Sequence, residues 1–425
     1  MIFLCYNKNT QNSPIRKKYF VFLEGIRMKR LLALAMVLVM SLSLAACGGT
    51  ASTTTTAATT AVEATTAATT TAAEATTATT AATTTAASGT YELALITDVG
   101  NIDDKSFNEG AWNGVKNYAE KNNIPYAYYR PSEDSTAARE ETIGTAIDKG
   151  AKIVVCPGYL FEEAIYNVQD KYPDVQFLLL DGQPHTADYA TYKTSTNVHC
   201  ILYQEEQAGY LAGYAVVMDG YTKLGFLGGM AVPAVVRYGY GYVQGAEAAA
   251  KELGLKAGDV TIKYWYCGGF GPTDDIKTKM SGWYTDGTEV VFSCGGGIYL
   301  SATAAAEAAG GKVIGVDVDQ SAQSATIITS AMKELTTSVD LALTSIYANG
   351  GKWNADFAGK TATLGAAENC VGLPTAAASW KLTKFTVDQY KAVFAKLVDK
   401  SIVVDNTFDP AVKPAVKLVT VDYQE

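Results

Sequence analysis

Histidine is nearly absent from this chain, with only His185 and His199 among 425 residues. The seven cysteines, at positions 5, 47, 156, 200, 267, 294 and 370, include no C-x-x-C pair. Together these shortages argue against a zinc site, which needs Cys and His ligands at set spacings. Five of the cysteines fall after residue 91, an odd number with no framework spacing, and are expected to be single buried thiols. Basic charge is short as well: 34 Lys and Arg against 43 Asp and Glu leave a net charge of −9. A nucleic-acid binder would show a basic face, and an acidic balance disfavours phosphorylated ligands unless a local basic pocket exists. No G-x-S-x-G elbow or H-E-x-x-H is present, and Gly310-Gly311-Lys312 runs into Val313, so it cannot be a P-loop. Nothing calls for a cofactor or a metal.

What is present begins with an export pattern. Met28-Lys29-Arg30 opens a cationic stretch, and the apolar run Leu31 to Ala46 follows it. A charged start, an apolar middle and small residues at the end are the marks of a signal peptide. The run is too short to span a bilayer comfortably. It closes on Leu44-Ala45-Ala46-Cys47-Gly48, which resembles the bacterial lipobox, so Cys47 is the expected site of lipidation. Two acyl chains give stable anchoring where one is marginal. Met28 is then the expected start, with residues 1–27 a misassigned upstream stretch and 28–47 the signal. From 48 to 90 the chain is almost wholly Ala and Thr. Such a tract has too little to bury to offset its ordering entropy, and is expected to be a disordered tether. Its mean reach would be about 35 Å, from roughly 5–6 Å times the square root of its length. That length suits a Gram-positive surface, placing the protein on the outer face of the cytoplasmic membrane.

From Leu93 onward apolar strands alternate with helical stretches. Leu93–Ile96, Pro125–Tyr129, Lys152–Val155 and Gln176–Leu180 read as strands. Between them, 107–121, 135–149 and 161–171 read as helices. The strands lack polar alternation, as expected where helices cover both faces of a parallel sheet. The alternation restarts with a helix over Glu205–Met218 and strands at Leu224–Leu227, Val260–Tyr264, Val290–Ser293 and Val313–Val316. Two successive doubly wound α/β units predict two Rossmann-like lobes with a hinge and a cleft between them. The expected division gives 91–198 plus about 326–370 to the first lobe, and 199–325 plus about 371–425 to the second.

Ligands of open α/β sheets sit beyond the carboxyl ends of the strands. Asp98, Asp181 and Asp317 stand at such ends, and carboxylates accept hydrogen bonds from hydroxyls while repelling phosphate. Ser106 with Glu109 matches a capping box, so a helix should open at Phe107 and place that ring at the cleft. His185 and His199 read as ordinary loop or hinge residues.

The run Thr97 to Gly110, with D-x-G and D-x-S-F-N spacings, resembles the signature of the basic membrane lipoprotein family, the purine-nucleoside receptor type of ABC substrate-binding protein. Glu205 to Tyr214 is similar to the family's helix opening the second lobe. Ile314 to Gln320, with Thr329 to Lys333, matches a third block. The resemblance implies the type I periplasmic-binding fold and no enzymatic activity. It implies that Phe107 and Phe270 sandwich the base, one from each lobe. Asp181 and Asn108 would bond the base, and Asp98, Asp317 and Lys333 the ribose. The segment Cys267 to Pro272 departs from the family wording around Phe270, lacking its serine and its Lys-Gly. The implied partners are an ABC permease and its ATPase, with the protein a monomer, touching the membrane through its lipid alone. A different small ligand on the same fold, a nucleoside-cleaving enzyme and a surface adhesin are the alternatives.

Overall fold

The computed structural model describes residues 91–425. The expectations for the upstream stretch, signal peptide, Cys47 and tether fall outside the described residues. Among the described residues, no helix is long and apolar enough to cross a membrane.

The first sheet contains β1 (Leu93–Ile96), β2 (Tyr126–Tyr129), β3 (Ile153–Pro157), β4 (Gln176–Leu180), β5 (Val198–Tyr203) and β11 (Lys360–Leu364). Its order is β2-β1-β3-β4-β5-β11, with every pair parallel. Strands β1, β3 and β4 are buried along their whole length, which accounts for their unbroken apolar sequences. Edge strand β2 is half-buried and carries Tyr126, Tyr128 and Tyr129 instead. Helices α1 (Phe107–Asn122), α2 (Thr136–Asp148) and α3 (Glu162–Val168) link the first four strands.

The second sheet contains β6 (Lys223–Gly228), β7 (Val260–Tyr266), β8 (Val290–Cys294), β9 (Lys312–Asp317), β10 (Ile327–Lys333), β12 (Val371–Gly372) and β13 (Val419–Tyr423). The order is β13-β7-β6-β8-β9-β10-β12, parallel except for β12, which runs against β10. Helices α4 (Glu205–Met218), α5 (Pro233–Glu252), α6 (Asp274–Thr285) and α7 (Tyr299–Ala309) alternate with its strands. Helix α8 (Leu335–Ala348) follows β10 but lies against α1: Thr336 Oγ1 donates to the Gly110 carbonyl at 2.8 Å. Helix α9 (Val387–Val398) precedes the C-terminal strand.

Each sheet has the strand-order reversal that opens a crevice at its carboxyl edge: β1 lies between β2 and β3, and β6 between β7 and β8. The chain passes between the sheets three times, after β5, after β10 and after β11. Two segments lie on the opposite side of the expected division. Residues 199–203 pair in the first sheet, and 327–333 pair in the second. The reason is that each sheet takes in a last parallel strand before the chain crosses. The five cysteines of this region are free thiols, four of them buried.

Candidate functional site

All seven residues singled out from the sequence, Asp98, Phe107, Asn108, Asp181, Phe270, Asp317 and Lys333, line one cavity of about 490 Å³. They come from the carboxyl ends of β1, β4, β7, β9 and β10, and from the start of α1. Glycines 158, 295, 296 and 297 supply much of the intervening wall.

The β1–α1 turn is held by carboxylates rather than by its serine. The Ser106 side chain makes no capping bond, so the expected capping box is not formed. Instead Asp104 accepts from the N–H groups of Ser106, Asn108 and Glu109 at 2.8–3.1 Å. Glu109 turns back to the Lys105 N–H at 3.1 Å. Because Asp104 already satisfies the first turn, Ser106 is released to donate across the cleft to Asp317 at 2.6 Å. Helix α1 still begins at Phe107, and that half-buried ring faces the cavity.

Asn108 is almost wholly buried and bonded within the turn. Its amide donates to Asp98 at 2.8 Å and to Asp104 at 3.0 Å, and its oxygen accepts from the Asp98 N–H at 3.2 Å. Both donors are in use, so Asn108 orients Asp98 more than it reaches toward the cavity. Burial pushes the Asp98 carboxyl up to about 6, against the opposing pull of the Gly100 N–H and the Asn108 amide.

At the far wall, the Lys333 ammonium is boxed in. It bonds to Asp181, and lies 3.4 Å from Glu205 and 3.8 Å from Asp317. The ring of Phe107 is 4.6 Å from the same nitrogen, near enough for cation–π attraction. Burial alone would push this ammonium down, but Asp181, Glu205 and Asp317 together hold it above the ordinary lysine value. Burial pushes Asp181 up to about 7, with Lys333 opposing. One Asp181 oxygen, Oδ1, is buried and has no hydrogen-bond partner among the described residues. Asp181 and Asp317 both turn with positive φ, 58° and 65°. That conformation is uncommon for a non-glycine residue, and here it ends each strand with its carboxylate at the cavity.

Phe270 lines the cavity from the loop after β7. It rests on bare backbone: a Cβ at Gly229 or Gly295 would come within 2.5 and 2.8 Å of its ring. The Cys-Gly-Gly wording around it therefore still presents an aromatic face, although the residues differ from those of the resembled pattern.

Three residues beyond those seven, Tyr238, Glu205 and Arg237, bear on this wall. Tyr238 of α5 lines the cavity, and its buried hydroxyl finds no hydrogen-bond partner among the described residues. Glu205, wholly buried, accepts from Arg237 Nε at 2.7 Å. A carboxylate at the head of the apolar helix α4 was the available signal. His185 lies away from this wall, its Nε2 at 2.9 Å from Glu162.

The cavity wall carries Asp98, Asp103, Asp104, Asp181 and Asp317 against Arg130 and Lys333. Lys333 is shared among carboxylates and Arg130 donates to Asn101 and the Val99 carbonyl, so acidic groups outweigh cations on this wall. The arrangement suits an uncharged molecule with hydroxyl or N–H donors and a flat face.

Residues 91–407 match the Bmp family, described as ABC transporter substrate-binding protein, PnrA-like. The ABC transporter nucleoside-binding protein BmpA of Lactococcus lactis subsp. cremoris is 28% identical over 240 residues, 53% of this chain and 64% of that protein. Basic membrane protein A2 of Borrelia garinii subsp. bavariensis is 30% identical over 289 residues, 67% of this chain and 80% of that protein. Among solved structures, an ABC transporter solute-binding protein from Aeropyrum pernix K1 aligns with a TM-score of 0.63 at 22% identity, covering 76% of this chain and 95% of that one. This last likeness speaks to the fold, two parallel-sheet lobes of the type I periplasmic-binding kind.

Proposed function

Since the chain belongs to the Bmp family of PnrA-like ABC transporter substrate-binding proteins, we propose that it captures a purine nucleoside outside the cytoplasmic membrane and delivers it to an ABC permease and its ATPase. The observation that carries this reading is a cavity wall bearing Asp98, Asp181 and Asp317, the last two already holding the Lys333 ammonium. Such a wall accepts hydrogen bonds from hydroxyls and ring N–H groups, and it repels phosphate. Phe107 and Phe270 supply flat faces from either side, and stacking a base on one aromatic ring is worth about 1–3 kcal/mol. The Lactococcus relative carries nucleoside binding in its name. A lipid on Cys47 and a tether over 48–90 would hold the protein at the surface. The role is capture without chemistry, so no free base should accumulate during incubation with nucleoside.

Bonds already run across the cleft, from Ser106 to Asp317 and from Gln320 Nε2 to the Lys105 carbonyl at 2.7 Å. A ligand touching both lobes would favour this closed arrangement by its differential affinity for it. The closed form is then what the permease meets.

The test is calorimetric titration with inosine, guanosine, adenosine and uridine, after unfolding and refolding to strip any carried ligand. Saturable binding of a purine nucleoside, with inosine 5′-monophosphate silent, is the expected result. No heat from any nucleoside, with folding confirmed, would move the ligand elsewhere. Asp98→Ala and Phe107→Ala should each weaken binding by about tenfold to a hundredfold, the equivalent of about 1.4–2.8 kcal/mol. Unchanged affinity in both folded variants would remove these residues from the site.

A further inference from the structure

The Asp181–Lys333 wall is braced by a pair of residues that do not line the cavity. Glu205 is the first residue of α4, placed directly after the chain leaves β5 for the second lobe. Its Oε2 accepts from Arg237 Nε at 2.7 Å, and its Oε1 lies 3.4 Å from Lys333 Nζ. Side-chain exposure is 0% for Glu205 and 12% for Arg237. We propose that Glu205 and Arg237 are positioning residues, a buried ion pair that fixes Lys333 against Asp181 and so sets the pH range over which the cavity holds its ligand. The proposal rests on the capture reading above, and its test separates the two.

Lys333 has three N–H groups and three carboxylates around it, Asp181, Glu205 and Asp317. Asp181 and Asp317 belong to the cavity wall, so a ligand competes for them. Glu205 is the one carboxylate out of a ligand's reach, and its second oxygen is tied to Arg237. It therefore acts as the fixed point from which the ammonium is aimed. Removing either member would leave a charge buried without its partner, which local charges must then absorb. Asp181 is the group exposed to that change, since its Oδ1 has no other hydrogen bond to hold it.

The two members push Asp181 in opposite senses. The Glu205 carboxylate raises it, and the Arg237 guanidinium lowers it, beside the larger effects of burial and Lys333. The other titratable neighbours are Glu206, which faces Arg237, the Tyr203 and Tyr238 phenols, and the Cys294 thiol. Burial keeps both phenols and the thiol protonated well above neutral pH. Glu206 does not stay out of the way, because burial and Glu205 push it up to about 7. A Glu206→Gln background removes that overlap.

The experiment measures two quantities from pH 5 to 9, inosine affinity and the Asp181 carboxyl titration read by ¹³C NMR in ligand-free protein. Affinity should need ionised Asp181, so it falls as pH drops through the Asp181 midpoint. Glu205→Gln should move that acid limb down by about 1 pH unit, the usual reach of one nearby charge. Arg237→Gln should move it up by a similar amount, and the double variant should return close to the parent. Arg237→Lys, which keeps the charge and much of the volume, should hold the parental midpoint even if the Gln variant folds poorly. Midpoints that stay put, or move the same way in both single variants, overturn the proposal. So does an Arg237→Lys midpoint that moves with the Gln variant. Opposed NMR midpoints with no inosine binding in any variant would uphold the pair's role and count against the nucleoside reading instead.

Discussion

Replacing Lys333 with methionine is expected to remove about 3–5 kcal/mol of stability at pH 8, and inosine binding with it. The figure is the usual result of removing one partner from a buried charge cluster, because the remaining charges lose their compensation. Here the charges left behind are Asp181, Glu205 and Asp317, each within 4 Å of the lost ammonium. Methionine keeps the apolar stem and ends where the Lys333 Nζ begins, so little of the loss comes from packing. The pH dependence distinguishes this account from a simple cavity. In the parent protein burial pushes the Asp98 and Asp181 carboxyls up to about 6 and about 7, whereas an unfolded aspartate titrates at about 3.9. Between those values the folded state holds more protons, so stability falls as pH rises through that window. Lys333 counters this by lowering Asp181, Asp317 and Glu205. Without it their titrations move higher, and the decline becomes steeper. The variant's deficit should therefore be largest at pH 8 and shrink toward pH 5. Urea unfolding at both pH values measures it, and an equal deficit at each would mean that lost packing, not charge, is the cause.

The parts of this fold that were legible in the sequence are those specified locally. Strands β1, β3 and β4 are short apolar runs between helical patterns, because a parallel sheet buried on both faces admits nothing else. The three aspartates of the candidate site were legible for a related reason: a doubly wound sheet gathers whatever follows its strands at one edge. Asp98 stands two residues past β1, Asp181 one past β4, and Asp317 is the last residue of β9. Asn108, Phe270 and Lys333 came only from the family resemblance. What escaped depends on residues far apart in sequence. Ser106 and Glu109 have capping-box spacing, yet Asp104 takes that task and Ser106 bonds to Asp317, 211 positions away. Glu205 looks like an acid placed favourably at a helix start. Its partners Arg237 and Lys333 are 32 and 128 positions distant. The lobe division slipped at β5 and β10 because a crossing strand looks no different from one that stays.

The second large effect is expected in the helix pair that carries Glu205 and Arg237: Gly241→Ala should remove about 3 kcal/mol or more. Helices α4 and α5 touch backbone to backbone. A Cβ on Gly241 would lie 2.0 Å from the Glu206 carbonyl, and one on Gly209 would lie 2.0 Å from the Tyr238 carbonyl. Gly213 and Gly245 meet Tyr242 and Tyr210 in the same way, at 2.1 and 2.0 Å. Overpacking a core usually costs about 1–3 kcal/mol when side chains can give way. Here the obstacle is main chain on both sides, so the helices themselves must separate. Alanine's better helix propensity, worth about 1 kcal/mol over glycine, is too small to offset that. Gly282 of α6 is the control, exposed and with nothing within 4 Å of an added Cβ, so Gly282→Ala should stabilise by up to about 1 kcal/mol. The consequence reaches the cavity. Gly209 and Gly241 stand one helical turn beyond Glu205 and Arg237, and their close contact brings that pair to 2.7 Å. Separation of α4 from α5 stretches the bond and loosens Lys333. Folded Gly241→Ala protein should thus bind inosine more weakly and show the Asp181 titration moved toward that of Arg237→Gln. Unaltered unfolding by urea would show that the helices can part without strain, and would leave their glycines unexplained.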